Sequence, residues 1–113
     1  TRSLMANKFI NTQFNLTTTN PVAVYTCPVE SVAMVKSIQA YNASSGTVSI
    51  TAAITDNSAS ATYNFSKRTL STATSSDLLT GVKVFEENDI LKLTASHTSV
   101  ITGTVAILEQ DRK

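Results

Sequence analysis

A single cysteine, Cys27, rules out an internal disulfide and any zinc site built from several thiolates. No run of about 18 apolar residues occurs, so no helical membrane span is written in the chain. Charged side chains make up 15% of the 113 residues and the formal net charge is +1. Lys67-Arg68 and Arg112-Lys113 are the closest basic pairs, and neither extends into the clustered Lys and Arg that phosphate binding needs, which argues against a nucleic-acid partner. Only Gly46, Gly81 and Gly103 are present, too far apart for a phosphate-cradling loop. His97 is the sole histidine, remote in sequence from Cys27, so a Cys–His nucleophilic pair would need two distant loops to converge. Tryptophan is absent. The first residues carry a basic side chain but no apolar core, unlike a secretory signal.

Ser and Thr fill the space that charges leave, and alternation of apolar and polar residues recurs along the chain. Val48, Ile50, Ala52 and Ile54 point one way while Ser49, Thr51, Ala53 and Thr55 point the other, as in a half-buried strand. Leu91, Leu93 and Ala95 repeat the pattern, and Ile101, Val105 and Ile107 do so again around Gly103, which marks a bulge or a close backbone approach. Pro28 fixes φ and donates no hydrogen bond, so it belongs between strands or on an edge, not inside a central ladder. The periodicity predicts about eight strands, at 8–16, 22–26, 31–41, 47–55, 62–69, 78–85, 90–96 and 100–109, with Ser/Thr/Asn/Asp turns between them. This is an all-β, single-domain, two-sheet β-sandwich, Ig-like or jelly-roll-like. A single helical turn could sit at 75–79, capped by Ser75 or Ser76. Met5-Ala6-Asn7-Lys8 reads as a translation start, so residues 1–5 are set aside as an expression remnant or upstream extension. Residues 6–20 read as an N-terminal arm or edge strand, 21–113 as the sandwich domain, and 110–113 as a solvated tail.

Few side chains suggest chemistry. Cys27 reads as a small apolar residue packed at a strand end rather than a reactive thiol. Glu86-Glu87-Asn88-Asp89 could offer oxygen ligands to Ca²⁺, but its spacing fits no EF-hand loop, and a solvated hairpin turn is the plainer reading. Tyr25, Tyr41 and Tyr63 could stack on a sugar, though strand tyrosines more often pack between sheets with the hydroxyl at the rim. Asn15-Leu16-Thr17, Asn42-Ala43-Ser44 and Asn64-Phe65-Ser66 match the glycosylation pattern by chance in so hydroxyl-rich a chain. No catalytic, cofactor or metal constellation emerges, and the expectation is a non-enzymatic protein.

Val24-Tyr25-Thr26-Cys27-Pro28, followed by Ser31-Val32-Ala33-Met34-Val35-Lys36-Ser37-Ile38-Gln39-Ala40-Tyr41-Asn42, resembles a pattern of small virion proteins of tailed bacteriophages. Thr47-Val48-Ser49-Ile50-Thr51, Phe85 to Ser96 and Val105-Ala106-Ile107-Leu108-Glu109 resemble that family's later strands. Two positions depart from it: Pro28-Val29-Glu30 replaces a Pro-Ala-Gly corner, and Asn88 replaces a Gly before Asp89. The resemblance implies a virion protein assembled in the bacterial host cytoplasm. Its expected role is capsid decoration (cement), stabilising contacts between major capsid subunits. The alternatives are a tail, neck or baseplate accessory protein, or a sugar- or receptor-binding module. Expected partners are the major capsid protein or tail proteins and further copies of the chain, as a homo-oligomer or multi-copy array. The candidate interface residues are Phe9, Ile10, Phe14 and Leu16 in the arm, with Asn42, Ser44, Asn57, Ser58, Thr72 and Thr74 in loops at the sandwich ends.

Overall fold

The computed structural model describes residues 7–97 and 101–111, and every structural statement below concerns these. The expectations for residues 1–5, for the first residue of the last strand and for the Arg112-Lys113 tail lie outside them. Nine strands form: β1 (Asn7–Leu16), β2 (Val22–Thr26), β3 (Ser31–Asn42), β4 (Val48–Asp56), β5 (Ala61–Leu70), β6 (Ser75–Asp77), β7 (Lys83–Phe85), β8 (Ile90–Ala95) and β9 (Ile101–Asp111). One sheet has the order β1-β9-β3-β6, with β7 also on β3, and the other has β2-β8-β4-β5. All pairings are antiparallel. The two sheets pack into a jelly-roll-like sandwich, as the alternating pattern predicts.

Between the sheets lies one core. Val35, Ile38, Phe85, Ile101, Val105 and Ile107 of the larger sheet meet Ile50, Ala52, Leu91 and Leu93 of the smaller. Three bulges adjust the register. Val24 is the extra residue in β2, Lys36 in β3 and Phe65 in β5. The β3 bulge inverts the strand's alternation: Ser31, Ala33 and Val35 are buried before it, Ile38, Ala40 and Asn42 after it. An unpaired extra residue costs the ladder little and lets both halves of a twelve-residue strand face the core.

Of the expected strand at 78–85 only Lys83–Phe85 forms, paired with β3. Ser75–Asp77, before the expected start, is also a strand on β3, so no helical turn forms there. Between them Leu78 and Leu79 are buried in irregular chain, where they plug the side of the sandwich beside β5. The apolar run was a loop seeking the core, not a strand. Asp77 holds this loop: its Oδ1 accepts hydrogen bonds from the backbone N–H of Ile38 (3.1 Å) and Leu79 (2.9 Å), and the Ser66 hydroxyl donates to the Leu78 carbonyl. Gly103 is a close approach and not a bulge, since β9 runs in unbroken register against β1.

Candidate functional site

Sheet pairing aligns side chains that are distant in sequence. In an antiparallel ladder, directly opposed residues point to the same face. Phe9 of β1 opposes Leu108 of β9, Leu108 opposes Met34 of β3, and Met34 opposes Val84 of β7. These four make one transverse row across the outer face of the larger sheet. Its two ends are open to solvent, Phe9 at 81% and Val84 at 56% exposure, while Leu108 and Met34 between them are half-buried. Val32 and Ala106 extend the row on the adjacent registers, beside polar Gln110, Asn11 and Ser37. The same face turns polar toward the other end of the sandwich, where Gln13 Nε2 donates to Asn11 Oδ1 (3.0 Å) and Thr104 Oγ1 (3.3 Å). Across the molecule, the outer face of the smaller sheet is hydroxyl-lined, with Thr55 and Thr62 hydroxyls 2.8 Å apart and Ser49 and Thr69 hydroxyls 3.1 Å apart. The apolar belt therefore distinguishes one face of the sandwich from the other.

Of the candidate interface residues, Phe9 stands on this belt, and Ile10 is half-buried on the inner side of β1. Phe14 and Leu16 are core residues on the inner side of β1, so neither presents its side chain on this outer face. Asn42 is likewise fully buried. Its side-chain amide donates to the carbonyls of Gly46 (2.7 Å), Leu70 (3.0 Å) and Ser71 (3.3 Å), and its Oδ1 accepts from the Ser44 N–H and hydroxyl. Asn42 and Ser44 thus fasten two loops together, because a buried amide must spend its hydrogen-bonding groups internally. Thr72 and Thr74 are exposed at this same end, whereas Asn57 and Ser58 are exposed at the opposite one. The set does not converge. Leu108, Met34 and Val84 were missed because the register that aligns them with Phe9 cannot be read along the sequence.

The remaining groups have structural work. Cys27 is fully buried just after β2, and its thiol donates to the Ser31 carbonyl at 3.6 Å. Its backbone bonds Asp89, which precedes β8, while His97 follows β8, so six strand residues separate the cysteine and histidine ends. Asp89 is buried rather than solvated, its carboxylate accepting from the backbone N–H of Glu86 (2.9 Å) and Asn57 (3.0 Å). Among the described residues no group of three or more His, Cys, Asp or Glu side chains is placed to hold a metal ion. The tyrosines form no common platform: Tyr41 opposes Thr102 on the larger sheet, Tyr63 opposes Ile54 on the smaller, and Tyr25 bridges the two. Tyr25 Oη donates a 2.5 Å hydrogen bond to Glu109 Oε2. Burial, reinforced by this bond and by the carboxylate's negative charge, pushes the Tyr25 hydroxyl well above its ordinary pKa of 10.0.

No protein-family model matches the sequence, and no curated protein sequence matches it. Solved structures do. The protein of the Bacillus endospore appendages, a family of disulfide-linked pili, matches over 98% of this chain and 90% of its own, with a TM-score of 0.59 and 9% identity. Eiger TNF from S. frugiperda matches over 91% and 92% respectively, with a TM-score of 0.45 and 9% identity. A pentameric capsid protein from metagenomic phage sequences covers 85% of this chain and 58% of its own, with a TM-score of 0.46 and 13% identity. At such identities the first likeness is one of fold alone, a jelly-roll β-sandwich, and the other two add no further argument.

Proposed function

We propose that the chain is a non-enzymatic structural protein of a tailed-bacteriophage virion, a capsid decoration protein that bridges major capsid subunits. The observation that carries this reading is the Phe9–Leu108–Met34–Val84 belt, an apolar stripe on a sheet face that carries few charges. Apolar surface of that kind gains free energy by burial at about 25 cal/mol per Å², and its polar margins suit a protein partner. The sequence resemblance to small virion proteins supplies the particle. The mechanism is interfacial: many copies, each burying a modest area across a joint between subunits, sum to a large resistance to expansion. Cys27 lies in the core, so cross-links through thiols have no part in it.

Binding to purified capsid shells of the encoding virus tests the proposal. The wild-type chain should bind and raise the temperature at which shells dissociate. Phe9→Lys with Val84→Lys, both solvent-exposed and harmless to the fold, should abolish both effects. Binding to isolated tails instead would replace the capsid role with a tail, neck or baseplate one. Binding to neither would overturn the virion reading.

A further inference from the structure

The geometry points to a second copy of this chain as the partner of β1, paired edge to edge about a two-fold axis at Thr12. The inference deepens the structural role proposed above and names one of its contacts.

The two sheets have four edges, and three of them are guarded. β2 is five residues long, bulged at Val24 and flanked by Pro21 and Pro28. β5 is bulged at Phe65 and carries Lys67 and Arg68. β6 and β7 are three residues each. Bulges, charges, prolines and brevity are the devices that keep an edge from pairing with another chain. β1 has almost none of them. Its ten residues run in unbroken register on β9, contain no proline, and carry one charge, Lys8, near the end. Along its outer side a strand of this length leaves a row of backbone N–H and C=O groups that another strand satisfies.

The side chains select the occupant and the register. A two-fold axis normal to the sheet keeps the outer face outer, and centred on Thr12 it opposes Asn11 to Gln13 of the second copy, and Thr12 to Thr12. On the inner side it sets half-buried Ile10 against Phe14 of the second copy, carrying the core across the joint. Amide against amide, hydroxyl against hydroxyl and apolar against apolar are all favourable cross-strand pairs. Charge agrees. Glu30, Asp56, Glu86, Glu87, Asp89, Glu109 and Asp111 all lie at the Asn7 end of the sandwich, in the loops and strand ends there. Antiparallel pairing sends the two acidic ends to opposite poles, whereas parallel pairing would set them side by side. The apolar belts of both copies then share one face, so the dimer presents two binding stripes to one particle surface.

Sedimentation of the isolated chain tests this without any particle. Wild type should be a dimer. Asn11→Lys with Gln13→Lys, which opposes like charges across the joint, should weaken it about a hundredfold. Asn11→Lys with Gln13→Glu should restore it, because each lysine then faces a glutamate of the second copy. Thr12→Cys should cross-link to itself on mild oxidation, and Asn11→Cys should not. A wild-type monomer at millimolar concentration, a dimer indifferent to the double-lysine change, or self-cross-linking at position 11 in place of 12 would overturn the inference. A monomer that still bound capsid shells would leave the decoration role standing.

Discussion

Gly103 sits where the larger sheet leaves no room for a side chain. A Cβ placed there would lie 2.0 Å from the Gln39 carbonyl oxygen and 2.4 Å from the Phe14 ring. The ring of Phe14, directly opposite on β1, fills the space that a side chain would take, in the manner of an aromatic covering a strand glycine. Phe14 could turn aside, but the backbone carbonyl of Gln39 cannot. Gly103→Ala should therefore cost about 3 kcal/mol by overpacking, read as a lowered urea midpoint, and Phe14→Leu should not rescue it. A substitution tolerated without loss would show that β9 and β3 do not approach as described. Backbone conformation settles the two departures from the virion-protein pattern as well. Glu30 and Asn88 both adopt left-handed conformations, with φ of 61° and 68°. The positions where the pattern has glycine keep the turn that favours glycine, and Asn88 does so at small cost. Glu30 is held there partly by its N–H, which donates to the Glu87 carboxylate at 2.6 Å.

Single elements of this sandwich are held by exceptions to the alternating pattern, and this decides what could be read from sequence. β8 alternates strictly and β4 does so from Val48 to Ala52, and their inward residues were legible because one face is core and the other wet. The bulge in β3 left a trace in Lys36-Ser37, two polar residues in succession, but alternation alone cannot say which strand absorbs the slip. Leu78-Leu79 misled, since burial in a loop writes the same apolar signal as burial in a strand. The belt was illegible for a different reason: its four residues are brought into one row only by tertiary pairing. The tie between β2 and β9 belongs to this class too. Tyr25 and Glu109 are joined across the two sheets, and Glu109 is buried with this hydroxyl as its hydrogen-bond donor. Tyr25→Phe should lower stability at neutral pH by about 2 kcal/mol, the worth of a hydrogen bond to a charged group. The folded state holds the Tyr25 proton more tightly than the unfolded chain does. Its contribution is complete below the unfolded value of 10.0 and is lost as pH climbs above it. Denaturant midpoints measured from pH 8 to 11 should fall more steeply for wild type than for Tyr25→Phe. Parallel profiles would remove Tyr25 from the alkaline transition.

At the scale of the whole molecule, the proposed assembly poses the question of how copies join, by covalent links or by surface alone. The appendage protein of like fold belongs to pili that are disulfide-linked. This chain's one thiol sits at the acidic end of the sandwich, fully buried. Hydrogen bonds from the Cys27 N–H to the Asp89 carbonyl (2.9 Å) and from the Asn88 N–H to the Cys27 carbonyl (2.8 Å) fix the corner around it. Burial keeps the thiol away from disulfides and reagents in solution. Exposure requires opening the junction of β2 with β8, so modification by a soluble aromatic disulfide should proceed only through that opening. In native buffer the labelling rate should be far below that of the unfolded chain, and it should rise with denaturant in step with the unfolded fraction. Association measured by sedimentation should be the same with and without reductant, and oxidation should yield no covalent dimer. Rapid labelling of the native protein, or an assembly that reductant dissolves, would show that Cys27 reaches the surface and would return covalent linkage to the account. Either result would also separate the two ways a jelly roll can build a large structure, because the proposed interface of a sheet face and a sheet edge would depend on concentration and buried area, not on redox state.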